Sequence, residues 1–163
     1  MKKEKIKLGL VVGRFQPLHG GHRYLIKTAI AENDNIVVCI GSAQKADPLS
    51  LEERHKRLSK FLKDIDLTNK ILKTITMEDT PSDEVWLSQL NKKAGVVKHN
   101  ENTFYTAETL SEEYLNMMKN TNFNIKTIER SLFQYRDPSG KAHNFFCATQ
   151  IREVHKKLNL GNI

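Results

Sequence analysis

Apolar residues fall along the chain in two alternating rhythms. Ile6, Leu8, Leu10, Val11 and Val12 form a short run bounded by lysines and Gly13, the pattern of a strand buried in a parallel sheet. Leu25, Ile26, Ala29 and Ile30 then recur at helical spacing with Arg23, Lys27 and Glu32 between them, which predicts an amphipathic helix lying on that sheet. The rhythm repeats. Asn35 to Ile40 reads as a second buried strand, closed by Gly41-Ser42-Ala43-Gln44. Ser50-Leu51-Glu52-Glu53 reads as a capping box opening a helix with Leu51, Leu58, Leu62 and Ile65 on its apolar face. Ile71 to Ile75 predicts a third strand, and Thr80 as N-cap with Pro81 at the first helical position predicts a helix carrying Val85, Trp86 and Leu90.

Farther along, Gly95 to Lys98 and Thr103 to Tyr105 predict a fourth strand interrupted at Lys98-His99-Asn100. A helix from Thr106 to Met118 should face inward through Leu110, Tyr114, Leu115 and Met118. Phe123, Ile125 and Thr127 alternate with polar residues as a fifth strand, and Asp137-Pro138-Ser139-Gly140 is a turn by its chemistry. Strands alternating with helices imply right-handed crossovers and an α/β fold: a Rossmann-like, mostly parallel sheet with helices on both faces. With 163 residues and neither internal repeat nor linker, residues 1–163 are expected to form a single domain.

Composition narrows the class without naming it. Hydrophobic residues make up 39% and charged residues 28%, ordinary for a soluble domain. No apolar stretch approaches the roughly 20 residues that span a bilayer, and the basic start carries no cleavage-site pattern, so a cytoplasmic protein without signal peptide is expected. Cys39 and Cys147 stand too far apart for a metal spacing and read as buried small hydrophobes. The net charge of +7 suits anionic ligands. Its dispersal along helix faces, with aromatics at only 7%, speaks against nucleic acid as a partner.

Candidate chemistry concentrates where the first strand ends, in Gly13-Arg14-Phe15-Gln16-Pro17-Leu18-His19-Gly20-Gly21-His22. A helix beginning here would offer unpaired backbone N–H groups and the positive end of its dipole to a phosphate. Gly20 and Gly21 allow close approach. His19 and His22, at i and i+3, share a face and can both donate to such an anion, and Arg14 adds a forked, permanent charge. An ordinary helix cap with satisfied imidazoles is the alternative reading of the same residues.

This string matches the His-x-Gly-His motif of the nucleotidyltransferase superfamily, and as a whole it resembles the archaeal-type nicotinamide mononucleotide (NMN) adenylyltransferases. Gly41-Ser42-Ala43-Gln44 and Asp47-Pro48-Leu49-Ser50-x-x-Glu53-Arg54 extend the resemblance over a second βα unit. Near the chain's end, Cys147-Ala148-Thr149-Gln150-Ile151-Arg152 resembles the family's Ser-x-Thr-x-x-Arg, which opens a helix on the β- and γ-phosphates of ATP. The resemblance implies transfer of AMP from ATP to NMN, giving NAD and pyrophosphate. It implies His19, His22, Arg14 and Arg152 as catalytic residues, and Gly13, Phe15, Gly21, Lys45 and Thr149 as ATP-binding. Asp79 and Trp86 hold the spacing of the family's NMN-binding pair, in which the indole stacks on the nicotinamide ring; a lone Trp on an apolar helix face otherwise reads as core.

No carboxylate cluster suggests a metal cage, so Mg²⁺ is expected to arrive with ATP. ATP and NMN are the implied partners, with no nucleic acid and no membrane, in a homo-oligomer. Three positions depart from the family pattern. The loop before Asp47 is short, leaving Lys45 to supply charge; Glu108 stands where an asparagine is usual; and Cys147 replaces a serine. Nicotinate mononucleotide or phosphopantetheine as acceptor, or a non-catalytic ATP/NAD-binding sensor, are the alternatives these residues leave open.

Overall fold

A computed structural model describes residues 5–66, 69–96, 101–106, 123–127, 135–136 and 139–143. Strand β1 (Lys7–Gly13) lies at the centre of a five-stranded sheet, flanked by β2 (Asn35–Ile40) and β4 (Glu101–Thr106), with β3 (Ile71–Thr76) and β5 (Phe123–Thr127) at the edges. Every pairing in this sheet is parallel. The order β3-β2-β1-β4-β5 reverses direction between β1 and β4. In open α/β sheets, ligands bind beyond the strand carboxyl ends at such a reversal. The chain is therefore an α/β protein with a Rossmann-like parallel sheet.

Side-chain alternation along the strands divides the core in two. On one face Val11, Ile36, Val38, Ile40 and Tyr105 pack with Leu25, Ile26 and Ala29 of α1 (Gly20–Glu32) and with Leu58 and Leu62 of α2 (Leu51–Ile65). On the other, Leu8, Leu10, Val37, Cys39 and Phe104 pack with Leu87, Leu90 and Ala94 of α3 (Asp83–Ala94). Helices cover both faces, as the two rhythms predict. Each fully buried aliphatic contributes about 1.5–3 kcal/mol of transfer free energy. Cys39 is buried in the second core, and burial pushes its thiol up to about 12, so it acts as a small apolar filler.

Several boundaries differ from the sequence expectation. Ser82, not Thr80, caps α3: its hydroxyl accepts the Val85 amide at 3.3 Å, while Thr80 Oγ1 donates to the Ser82 carbonyl at 2.7 Å. Starting at Asp83 places Asp83 and Glu84 in the first turn, where the helix dipole favours carboxylates. Gly95 does not begin a strand. It takes the left-handed conformation (φ 71°) and ends α3, as a glycine can without a Cβ penalty, and β4 begins only at Glu101. Thr106 closes that strand instead of opening a helix; the helix expected through Met118 otherwise lies outside the described residues. Ser50 caps α2 through the Glu53 amide at 3.1 Å, but the Glu53 carboxylate pairs with Arg57 at i+4, so only half of the capping box forms. Of the expected turn Asp137-Pro138-Ser139-Gly140, Asp137 and Pro138 lie outside the described residues; Gly140 takes φ 88°, and β6 (Tyr135–Arg136) and β7 (Ala142–His143) form a short antiparallel pair.

One glycine is fixed by a close approach. A Cβ on Gly9 would stand 2.7 Å from Asn33 Nδ2 and 2.9 Å from Ile36 Cδ1. Asn33 caps the end of α1 and cannot retreat, since its amide donates to the Ala29 carbonyl and to the Tyr105 hydroxyl, both at 2.8 Å. Gly9→Ala is expected to cost about 1–3 kcal/mol of stability by overpacking. Urea denaturation checks this, and an unchanged midpoint would mean that the neighbours give way.

Candidate functional site

The carboxyl edge of the sheet gathers three loops. Gly13 ends β1, and its carbonyl accepts the Gly41 amide at 2.8 Å, joining the first loop to the second. The Met77 amide donates to the Ile40 carbonyl and the Met77 carbonyl accepts the Ala43 amide, both at 2.9 Å, which brings the third loop alongside. Gln16 is buried and clamps Leu49 from both sides, donating to its carbonyl at 3.0 Å and accepting its amide at 2.9 Å.

His19 is the N-cap of α1. Its Nδ1 accepts the Gly21 amide at 3.0 Å, while His22 Nδ1 accepts the His19 amide at 3.3 Å. The two rings stack with centroids 3.8 Å apart, and Phe15 lies against His22 at 4.6 Å. Capping and ligand binding, alternatives in the sequence, are here compatible. An imidazole that accepts at Nδ1 carries its proton, when neutral, on Nε2. Both rings can thus cap the helix with one nitrogen and present an N–H donor with the other. Burial, with the positive Arg23 nearby, lowers the His19 pKa to about 4. Burial, then His19 and Arg23, hold His22 well below the ordinary value. Both are neutral donors at pH 7. Gly13 leaves room for them, since a Cβ there would meet His22 Nε2 at 3.0 Å. Gly21 is buried in the first turn, Phe15 is buried at positive φ (54°), and Arg14 is exposed.

Asp79 is held by the second loop: Ser42 Oγ and Gln44 Nε2 each donate to one of its carboxylate oxygens at 2.8 Å, and its own amide donates to Gln44 Oε1 at 3.0 Å. These donors, led by Ser42, keep its carboxyl below the usual range. Lys45 lies beside it, with Nζ 3.9 Å from Oδ2 and both side chains about half exposed, so the lysine expected at the phosphates stands against the residue expected at the other nucleotide. Trp86, in the first turn of α3, is half-buried against the second core. Thr149, Arg152, Cys147 and Glu108 lie outside the described residues.

Arg54 closes the second stretch of the resemblance, which gave it no role of its own. On the apolar stripe of α2 between Leu51 and Leu58, it is 1% exposed. Its guanidinium donates to five carbonyls: Arg14 at 3.1 Å, Gly41 at 3.2 Å, Ser42 at 3.3 Å, Ala43 at 3.4 Å and Lys45 at 2.6 Å. A charge placed on a helix's core-facing stripe was the signal that could have found it. Among the described residues, no three His, Cys, Asp or Glu side chains cluster as a metal site, and no helix is long and apolar enough to cross a membrane.

Comparison with known proteins adds relatives. The cytidylyltransferase-like family profile matches residues 10–154. A nicotinamide-nucleotide adenylyltransferase of Thermoplasma acidophilum is 35% identical over 94 residues, 55% of this chain and 51% of that protein. One from Methanococcus maripaludis is 31% identical over 134 residues, 80% of this chain and 71% of the relative. The aligned stretch spans about half the length of the first curated relatives. Among solved structures, a bifunctional NMN adenylyltransferase/ADP ribose pyrophosphatase from Francisella tularensis, complexed with AMP and Mn ion, superposes with TM-score 0.62 at 18% identity, over 93% of this chain and 42% of that one. At that identity the likeness speaks for the fold.

Proposed function

The chain belongs to the cytidylyltransferase-like family, together with archaeal nicotinamide-nucleotide adenylyltransferases, and from that premise we propose that it transfers AMP from ATP to the 5′-phosphate of NMN, forming NAD and pyrophosphate. The observation that carries this reading is the histidine pair. Two neutral imidazoles, each accepting a backbone amide at Nδ1, stand at the first turn of α1 on the sheet's carboxyl edge. They supply two N–H donors beside a helix N-terminus, which suits a polyphosphate.

The NMN phosphate is already anionic at neutral pH, so the reaction needs neither a strong base nor a covalent nucleophile. Alignment and stabilisation of charge at the α-phosphate suffice. His19 and His22 hydrogen-bond the phosphates at the reacting centre, and Arg14 and Arg152 balance the charge that collects on pyrophosphate. Gly13, Phe15, Gly21, Lys45 and Thr149 hold ATP. Mg²⁺ comes with the ATP phosphates, whose oxygens suit a hard cation, while this chain contributes N–H donors. We place the protein in the cytoplasm as a homo-oligomer.

Asp79 and Trp86 are assigned to NMN, a polar anchor beside a flat indole that can stack on a pyridinium. Loss of that stacking in Trp86→Ala is expected to raise KM for NMN about tenfold, from roughly 1–2 kcal/mol of stacking and cation–π attraction. KM for ATP should stay within about twofold. Equal effects on both substrates would return Trp86 to the core.

The reading is tested by pyrophosphate release with ATP and Mg²⁺, offering NMN, nicotinate mononucleotide and phosphopantetheine in parallel and His19→Ala as control. Release with NMN, lost in the variant, is the expected result. Release with another acceptor alone would reassign the substrate, and none with any acceptor, in protein that binds ATP, would make it a nucleotide sensor.

A further inference from the structure

We propose that Arg54, buried with its guanidinium on backbone carbonyls, is the positioning residue of the nucleotide site. It sets the shape of both loops that flank the histidines. The inference rests on the reading of the site as one for ATP, and it concerns a residue to which the resemblance assigns no role.

One guanidinium draws together carbonyls from two separate loops, Arg14 after β1 and Gly41, Ser42, Ala43 and Lys45 after β2. Four carbonyls within five consecutive residues all facing one point is an unfavourable arrangement for backbone dipoles unless a cation sits there. The second loop shows its tension at Ser42, which takes φ 48°, a left-handed conformation costly for a residue other than glycine or asparagine. A planar trans peptide points its C=O and the following N–H in opposite directions. Turning these carbonyls toward Arg54 therefore turns the amides of Phe15, Ser42, Ala43, Gln44 and Ala46 away from it. The Ala43 amide is used internally, on the Met77 carbonyl.

The same grip reaches side chains assigned to the reaction. Arg14 and Lys45 each have their own carbonyl held, and Ser42 and Gln44, on the gripped loop, fix Asp79. Electrostatics points the same way. Among the described residues no carboxylate lies within ion-pairing distance of Arg54, and burial lowers its pKa without neutralising an arginine. Among the described residues only backbone dipoles offset the charge, so its field extends to the loops and favours an anion bound there. Lysine would keep the charge but offer a single point donor in place of a fork.

The test reads ATP binding by titration calorimetry, with NMN absent, so that it stays separate from adenylyl transfer. Arg54→Lys that melts cooperatively is expected to bind Mg-ATP at least tenfold more weakly. In Arg54→Ala, millimolar guanidinium, but not methylammonium, is expected to recover several-fold of that loss, a rescue that a merely structural role would not give. A folded Arg54→Lys with wild-type ATP affinity overturns the proposal. If neither variant folds, hydrogen exchange on wild-type protein decides. ATP must slow exchange across residues 13–15 and 41–46, and unchanged exchange there, with ATP bound, overturns it equally. ATP-dependent protection without pyrophosphate release would leave Arg54 its role and remove the reaction.

Discussion

Replacing His22 with alanine is expected to lower turnover by about two to three orders of magnitude while leaving the fold in place, the loss typical of removing one donor aimed at developing charge. The His22 ring is wedged between His19 and Phe15, and its Nδ1 holds the His19 amide, which directs the remaining N–H away from the helix. The alanine variant loses one capping bond, worth about 1 kcal/mol, so melting separates a stability effect from a catalytic one. His19 still caps the helix through Gly21. Single-turnover AMP transfer, with thermal unfolding measured alongside, gives the answer. Wild-type turnover in a folded variant would remove His22 from the reaction.

That expectation depends on an electrostatic detail that no motif records. Donor histidines must be neutral at the pH of the cell, with the proton on the outward nitrogen. The helix start supplies both conditions, because backbone amides occupy Nδ1 and burial disfavours the charged ring. The i, i+3 spacing brings the rings together, and Gly13 keeps their approach open.

The sheet was legible because parallel strands are buried on both faces and read as continuous apolar runs. The predicted second strand coincides with β2, and the first ends at Gly13 in both readings. The first helix declared itself by period and by the histidine that caps it. Less legible was whatever depends on partners distant in sequence. Asp79 reads as a ligand residue by spacing, yet its carboxylate is bound to Ser42 and Gln44, 37 and 35 residues earlier, a pairing that exists only after β2 and β3 align. Arg54 was legible as the end of a resembling string but not in its role, because only the folded loops supply its five carbonyls. The start of α3 was misplaced by two residues because Thr80-Pro81 and Ser82 offer competing cap chemistry, and the acidic pair after Ser82 decides between them. Gly95 carried a stop signal that the apolar Val96-Val97 behind it obscured. The phosphate motif at Thr149 and Arg152 lies outside the described residues and stands as part of the proposal alone.

The second large effect concerns acid. His19 falls from 6.5 to about 4 in the folded chain, for reasons of burial first and of Arg23 second. A histidine whose folded pKa is depressed binds fewer protons in the native state than in the unfolded one. Stability therefore rises with pH across the interval between the two values. It is complete above about 6.5, declines as pH falls toward 4, and levels off below, a loss of about 3 kcal/mol from His19 at 1.36 kcal/mol per unit. Against a typical total of about 5–15 kcal/mol this is large. His22, lowered in the same direction, adds to the slope. Chemical denaturation at pH 7.5, 6, 5 and 4 should trace the decline, and His19→Asn identifies its source. Asparagine caps a helix as well as any residue and does not titrate, so that variant should match wild type near pH 7.5, exceed it at pH 5, and fail in AMP transfer. Parallel acid profiles for the two proteins would mean that His19 binds protons alike in the native and unfolded chains, so that burial does not depress its pKa.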